Sequence, residues 1–565
     1  MFFAPTTARS PKIRALYATI YAVLILGAIT MIAPFLIMLS GSLEPRTQVG
    51  DTLFFPTYLV EDPALWERYL ETKYHGVNDL IRMSWEDPDV AFRKTGGSLS
   101  AATDSRTAAL WDAFLSENVL PEKLMTLGFM RPNIKMPSFI NIAFRQWLMS
   151  RHGSLDAINV ALGTSFARLT LIVSPSIRID TPPIQSTPLV DAFFEFCSTQ
   201  PPSRKFAWNV GGFYRAIILP KTVGEDVAAY NERFGTAYKT LAEVPFPSTV
   251  PQVGAEPWLF FVTRLLRADF IELTEAGSQR MRELNVGQVE FIRTRAEPAE
   301  LIVVSADTLF ATWAKGRGVE DARIPQFTID RAAFAQEKGF WKWQFVTLNY
   351  QYVIAEISGR GGAIRNTVIL VVLSVAGSLL VNPLAAYALS RYKLRSSYAI
   401  LLFCLATIAF PAEVTMIPTF LQLKEFHLLN TFGALVIPGL ANGFSIFLLK
   451  GFFDSLPREL YEAAEIDGAS EWVTFWNITM TLSTPILAVI ALETFVSAYG
   501  TFFYALILAP DPKMWTIMVY IYQLRQSVAP PVVYASLIVT AIPTLIIFVT
   551  CQRIILRGIV VPSEK

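Results

Sequence analysis

Only three of the 565 residues are cysteine: Cys197, Cys404 and Cys551. Just one of them, Cys197, lies in the long polar middle of the chain. A disulfide within that stretch is therefore excluded, and it must fold on its own core, which about 300 residues can supply. Histidine is equally rare, at His75, His152 and His427. These sit far apart in sequence and form no cluster with cysteine, which argues against structural zinc. Charged residues make up 17%, below the usual share of about 25%. With a net charge of +1 there is no bulk attraction for nucleic acid. The pattern GxxxxGK[ST] does not occur, so the chain has no phosphate-binding loop and cannot hydrolyse ATP alone.

What is abundant is apolar sequence, with a mean hydropathy of +0.39. It is concentrated in one run near the N-terminus and several after Ile364. Leu16 to Leu39 is long enough to span a bilayer, which takes roughly 20 apolar residues. No small-residue cleavage site follows it, so it reads as a retained helix and not a leader. Five more spans are expected at Ile364–Leu389, Tyr398–Leu421, Phe432–Phe452, Leu482–Leu508 and Val533–Leu556. Arg9, Lys12 and Arg14 before the first span place the N-terminus in the cytoplasm. Arg391, Lys393 and Arg395, together with Arg553, Arg557 and Lys565, agree with that orientation. Six spans then put both termini inside and residues 45–360 outside, in the periplasm of a bacterium. The expected organisation is 1–44, an N-tail and first span; 45–360, an inserted periplasmic domain; and 361–565, a core of five spans.

The inserted stretch predicts a mostly helical α+β domain. Helical patterns cover 107–117, 138–151, 188–198, 225–233 and 257–284, and residues 301–305 read as a strand. An internal echo is present. Asn159, Gly163, Thr164 and Phe166 recur in the same spacing as Asn231, Gly235, Thr236 and Tyr238. Asn and Gly suit a helix end, with Thr starting the next turn. A fainter match pairs Trp66–Leu70 with Phe144–Leu148. The stretch FRQWLMSRHGSLDAINVALGTSF is similar to a helix–loop segment of some β-galactosidase-type glycoside hydrolases. Two roles are open for the domain: docking or sugar contact, or a tethered glycosidase. An enzyme of that kind needs two positioned carboxylates. The spacing of Glu67, Asp79, Asp112, Asp156, Glu195 and Glu243 selects no pair.

One internal loop, 453–481, is acidic. It holds Asp454, Glu459, Glu462, Glu465, Asp467 and Glu471 against only Arg458. Pro457 suits the first turn of a helix and Glu459 its N-terminal end. Leu460, Ala463 and Ala464 then share a face at helical spacing. Asp467-Gly468 stops the helix, and Ser470 can cap the next. Small side chains let such a helix lie close against another protein.

Glu462, Ala463, Ala464, Asp467 and Gly468, followed by Phe475, Ile478 and Pro485, resemble the EAA motif of ABC importer permeases. Asn349-Tyr350, Arg365-Asn366-Thr367, Ala385–Arg391, Pro411, Pro418 and Lys450–Phe453 extend the likeness over about 345–565. It is closest to the carbohydrate-uptake branch, similar to the second maltose-type permease. Met480-Thr481 and Tyr499-Gly500 depart from that branch, which usually has Leu-Pro and Trp-Asn there. The resemblance implies a membrane all-α fold, the six-helix type I ABC importer permease, with the α+β domain inserted after its first helix. It also implies that Glu462–Gly468 form a coupling helix seated on the ATPase. The implied partners are an ABC ATPase dimer that binds ATP and Mg, a second permease subunit, a periplasmic solute-binding protein and membrane lipid. No cofactor is expected in this chain, no catalytic or metal-ligating residue is singled out, and the expected location is the bacterial inner membrane. The alternative is a membrane-anchored sugar-binding or glycosidase-like protein on a permease-derived anchor.

Three residues are candidates for a substrate pathway. Glu493 is a carboxylate inside a span, which should face a bundle or cavity. Tyr499 and Phe502 lie near the outer end of the same span, where aromatic rings can stack on a sugar or simply sit in the interface belt.

Overall fold

The computed structural model describes residues 11–44, 55–74, 105–117, 120–121, 124–128, 138–175, 179–180, 187–201, 204–320, 322–359, 362–392, 395–408 and 411–558. Arg9, Asp79, Lys393 and Lys565 lie outside these residues. The chain divides into two compact units, Met1–Tyr352 and Val353–Lys565.

The first unit opens with helix Pro11–Leu43. Its apolar stretch Ala15–Leu43 has no residue of its most apolar window buried, as expected of a helix whose solvent is lipid. A helix end leaves its last carbonyls unpaired. Here side chains from elsewhere in the unit satisfy them. Arg68 Nη1 donates to the Leu43 carbonyl at 3.0 Å and Tyr58 donates its hydroxyl to the same oxygen at 3.1 Å. Asn349 donates to the Ser42 carbonyl at 2.7 Å. The Ser42 and Tyr350 hydroxyls are 2.6 Å apart. The Arg68 guanidinium also lies 3.8 Å above the Tyr58 ring, adding a cation–π attraction to the clamp.

Beyond this helix the unit is mostly helical, with two small antiparallel strand pairs. Met125–Leu127 pairs with Lys205–Ala207, in the register Met125↔Ala207. Ile271–Leu273 pairs with Leu301–Val303, in the register Ile271↔Val303. The core is rich in rings: Trp66, Tyr69, Phe334, Trp341 and Phe345 pack together with Phe144, Phe193 and Trp258 in one buried cluster. Within it lies an ion pair, Lys73 Nζ to Asp330 Oδ1 at 2.6 Å, with both side chains essentially inaccessible. Tyr74 donates its hydroxyl to the other carboxylate oxygen, and Gln326 donates to Oδ1 at 2.8 Å. Every oxygen of this buried carboxylate thus has a donor, which burial of a charge requires.

Helices start where their caps predict. Ser138 caps Phe139–His152 by accepting from Asn141 N. Thr187 caps Pro188–Ser198, with proline in its first turn. The helix expected over 257–284 is not continuous. Ala255–Phe260 runs on through a wide turn to Leu265. Leu266 is then extended, and Arg267 N donates to the Ile179 carbonyl. Residues 271–273 leave as a strand before helix Glu275–Glu283, capped by Thr274. A distant strand partner overrides the helical pattern, which local spacing cannot reveal.

The internal echo is a repeated structure. Helices Leu155–Leu162 and Val227–Phe234 each have eight residues and end on a left-handed glycine, Gly163 at φ 63° and Gly235 at φ 67°. In the first copy Asn159 Oδ1 accepts from Phe166 N at 2.9 Å and from Thr164 Oγ1 at 3.0 Å. Its amide donates to the Phe166 carbonyl at 3.0 Å. In the second, Asn231 makes the same three bonds with Tyr238 and Thr236, at 3.0, 2.7 and 2.8 Å. Only an amide has both the acceptor and the donor for this turn. Asn231→Asp keeps the acceptor and loses the donor. It is expected to cost about 1–3 kcal/mol, read as a lower melting temperature of the purified chain.

In the second unit, two helices are long and apolar enough to cross a membrane, Gly362–Arg391 and Pro530–Gln552. With Ala15–Leu43 that makes three among the described residues, or up to five if two bent pairs each count as one span. The pairs are Phe432–Gly439 with Gly443–Asp454, bent by 48°, and Glu471–Met480 with Thr484–Tyr499, bent by 82°. A shorter apolar helix covers Ser397–Ala406. The run expected as one span over 398–421 is divided between helices Ser397–Ile408 and Ala412–Glu425. The run 482–508 is likewise divided, between Thr484–Tyr499 and Phe503–Leu508. Pro485 stands in the first turn of Thr484–Tyr499, where its missing N–H costs the helix no bond.

A polar cluster holds the first bend. Fully buried Asn382 accepts from Asn442 N at 2.8 Å and donates to Ser378 Oγ at 2.9 Å. Thr494 donates to the same Ser378 hydroxyl at 3.1 Å. Three segments meet on hydrogen bonds that would be costly to break away from water.

Candidate functional site

The acidic loop contains the helix Arg458–Ile466, entered through Pro457 and ended at Asp467. Three backbone bonds close its end: Asp467 N to Ala463 O at 2.9 Å, Gly468 N to Glu465 O at 3.1 Å and Ala469 N to Ala464 O at 2.9 Å. Gly468 sits at φ +74° with open space around the position of a Cβ. The demand for glycine is thus one of backbone conformation and not of room. Ser470 then caps Glu471–Val473 by accepting from Val473 N. The chain continues through a π-helical turn, Thr474–Met480, into the 82° bend. Such turns add one residue to the helical repeat and re-aim the side chains after it.

Of the expected apolar face, the structure separates the two alanines. Ala464 is buried, while Leu460 and Ala463 are exposed. The inner side of the loop is carried by Tyr461 and Ala464, because residues three apart share a face. Glu462, Glu465 and Asp467 are exposed and form no ion pair among the described residues. Ile466 is 85% exposed and Trp472 62%, with Val473 and Trp476 also exposed. The loop therefore presents an apolar rim set among free carboxylates. In a single chain that surface has nothing to cover it, and it fits a partner with apolar and basic groups.

The inner side is fixed by the end of helix Gly362–Arg391. Tyr387 donates to Glu471 Oε2 at 2.7 Å and its ring meets Phe475 edge-on at 5.2 Å. Ser390 donates to Asp454 Oδ1 at 2.6 Å, and Lys450 reaches the other oxygen of Asp454 at 2.5 Å. Arg391 donates to the Phe453 carbonyl at 2.8 Å and lies 3.3 Å above the Tyr461 ring. The Tyr461 and Thr479 hydroxyls are 3.0 Å apart. A displacement of the loop must therefore act on this helix. Sequence reasoning noted Ala385–Arg391 as part of a resemblance but not its task; three polar side chains closing an apolar run are the signal that was available.

The substrate-pathway candidates separate. Glu493 is exposed on its helix, on a stripe with Val496, Ser497 and Gly500. Tyr499 is buried, and its hydroxyl donates to the Thr540 carbonyl at 2.7 Å. It ties two helices together and is a packing residue, since its polar end is already engaged. Phe502 is half-buried and packs 4.9 Å from the Tyr522 ring. The three do not converge on one cavity among the described residues.

Residues 381–561 match the family described as binding-protein-dependent transport system inner membrane component. The diacetylchitobiose uptake system permease protein NgcG of Streptomyces coelicolor is 30% identical over 217 residues, covering 37% of this chain and 71% of that protein. The sn-glycerol-3-phosphate transport system permease protein UgpE of Yersinia pestis is 32% identical over 211 residues, covering 36% of this chain and 74% of that protein. The chain belongs to the ABC importer permeases. A solved chain of a bacterial ABC transporter involved in the import of the acidic polysaccharide alginate is 27% identical, covering 34% of this permease and 74% of that chain with a TM-score of 0.32. The permease is a multi-pass membrane protein, and its acidic loop lies inside the matched residues.

Proposed function

We propose that this permease is the transmembrane subunit of an ATP-driven importer that carries a sugar or oligosaccharide across the bacterial inner membrane. The observation that carries the reading is the loop around Glu462–Gly468. It joins an exposed apolar and acidic surface to a rigid connection with helix Gly362–Arg391. Separate ATPase subunits, holding ATP and Mg, would seat this surface and drive the spans through Tyr387 and Arg391. Six spans, with both termini cytoplasmic and residues 45–360 periplasmic, are the topology that fits this use of the loop. A periplasmic binding protein would deliver the substrate.

Glu493 supports a second permease subunit. A carboxylate exposed within a span is costly against lipid, and a facing chain or a water-filled path would cover it. The sugar class is supported by the diacetylchitobiose uptake system that one relative is named for; the other is named for transport of sn-glycerol-3-phosphate.

Ala463→Trp tests the docking surface. Its small side chain is exposed on the loop helix, so an indole there should block close approach without disturbing the core. The expected result is normal membrane insertion with the ATPase subunit no longer co-purifying. If the ATPase is retained and uptake is normal, the docking assignment fails.

A further inference from the structure

A cavity of about 300 Å³ opens in the first unit, at the small end of the range for ligand sites. One wall is helix Phe139–His152, which supplies Gln146. The other is the part of helix Gln326–Gly359 beyond its kink at Glu337. That arm contributes Phe340, Gln344 and Gln351, four and seven residues apart and so on one face. Arg204, just before strand Lys205–Ala207, closes one side.

The lining has a definite chemistry. Gln146 and Gln344 make no side-chain hydrogen bond among the described residues, so each offers both a donor and an acceptor. Gln351 donates to Thr347 Oγ1 at 2.9 Å, leaving its carbonyl oxygen to accept. Arg204 gives one N–H to Gln200 Oε1 at 3.1 Å and has further donors in the same plane. Its guanidinium lies 6.0 Å from the Phe340 ring. Phe340 is partly exposed, while Trp341 stands edge-on to it at 5.2 Å behind the surface. No carboxylate lines the cavity and Arg204 does, so a cationic ligand would meet a like charge and no opposite one. A purely apolar ligand would leave the Gln146 and Gln344 amides, the Gln351 carbonyl oxygen and the remaining Arg204 donors without partners, which is penalised. A ligand with hydroxyls around its edge and an apolar C–H face satisfies both halves of the wall.

We propose that this cavity is a saccharide-binding site, separate from the membrane pathway. Gln146, Gln344 and Arg204 bind hydroxyl or acidic oxygens, and Phe340 takes the apolar face of the ring. The proposal takes its ligand class from the carbohydrate reading above and does not depend on the coupling loop.

The test uses the full-length chain in lipid nanodiscs. Maltotriose, chitotriose and trigalacturonate are titrated by calorimetry, with saturation-transfer NMR as a second readout. At least one should bind saturably, in the range of about 0.01–1 mM. Gln344→Ala and Arg204→Leu should each weaken it about tenfold while melting as the parent does. The Ala463→Trp chain should bind the same sugar unchanged, because its lesion is in the loop. Failure of all three sugars to bind overturns the proposal. So does binding that neither substitution alters in a folded chain. Either result leaves ATPase co-purification, the measure of the importer reading, where it stands.

Discussion

Gly468→Val is expected to abolish coupled ATP hydrolysis and uptake while leaving insertion and the fold of the first unit intact. At φ +74° the glycine occupies backbone space that an L-residue enters at a cost of roughly 1–2 kcal/mol, and a β-branched residue is worse. Nothing lies within 4 Å of a Cβ placed there. The turn itself is therefore what must give. Relaxing it shifts the segment that follows, with its exposed Trp472 and Trp476, and pulls on the Tyr387–Glu471 bond. A mismatch worth ~1.4 kcal/mol or more at the ATPase contact lowers the coupled rate about tenfold or more. The measurement is substrate-stimulated ATPase in the assembled complex, beside Gly468→Asn as a milder variant, since asparagine tolerates left-handed backbone. Equal rates for glycine, asparagine and valine would remove the turn from the mechanism.

The second large effect is expected in the first unit. Asp330→Ala leaves the Lys73 ammonium buried and unpaired, and strips a partner from Tyr74 and Gln326. Removing one member of a buried pair costs about 3–5 kcal/mol, a large share of the total for a domain, typically about 5–15 kcal/mol. Proteolysis of residues 55–352 should become fast, and the chain's melting temperature should fall. A double change, Lys73→Met with Asp330→Leu, should recover much of the loss, because no charge is then left in the core. A double variant as unstable as the single one would mean that the charges themselves hold the unit together.

How much of this was legible depended on distance along the chain. The loop around Glu462–Gly468 could be read because proline, small residues, Asp-Gly and a serine cap act within one or two helical turns. The two Asn turns were legible for the same reason: each closes within seven residues. The pair Lys73–Asp330 is 257 residues apart, and nothing local to either residue announces the other. The expected helix over 257–284 failed where a strand partner thirty residues on competed with helical spacing. Tyr499 was open between a sugar-stacking ring and a ring of the interface belt, and its hydroxyl bond to Thr540, 41 residues on, has no local signal. The bends at 440–442 and 481–483 were hidden too, because hydropathy counts apolar residues and takes no note of the direction in which a helix runs.

The clamp on the end of the first helix has a mechanical meaning. Arg68, Tyr58, Asn349 and Tyr350 grip two consecutive residues, Ser42 and Leu43, from several sides. A joint held by one bond can swivel, but one held from several directions transmits torque. The first helix and the body behind it must then turn together, as a key turns with its shaft. Any tilt of that helix in the bilayer must be shared by the residues that hold its end.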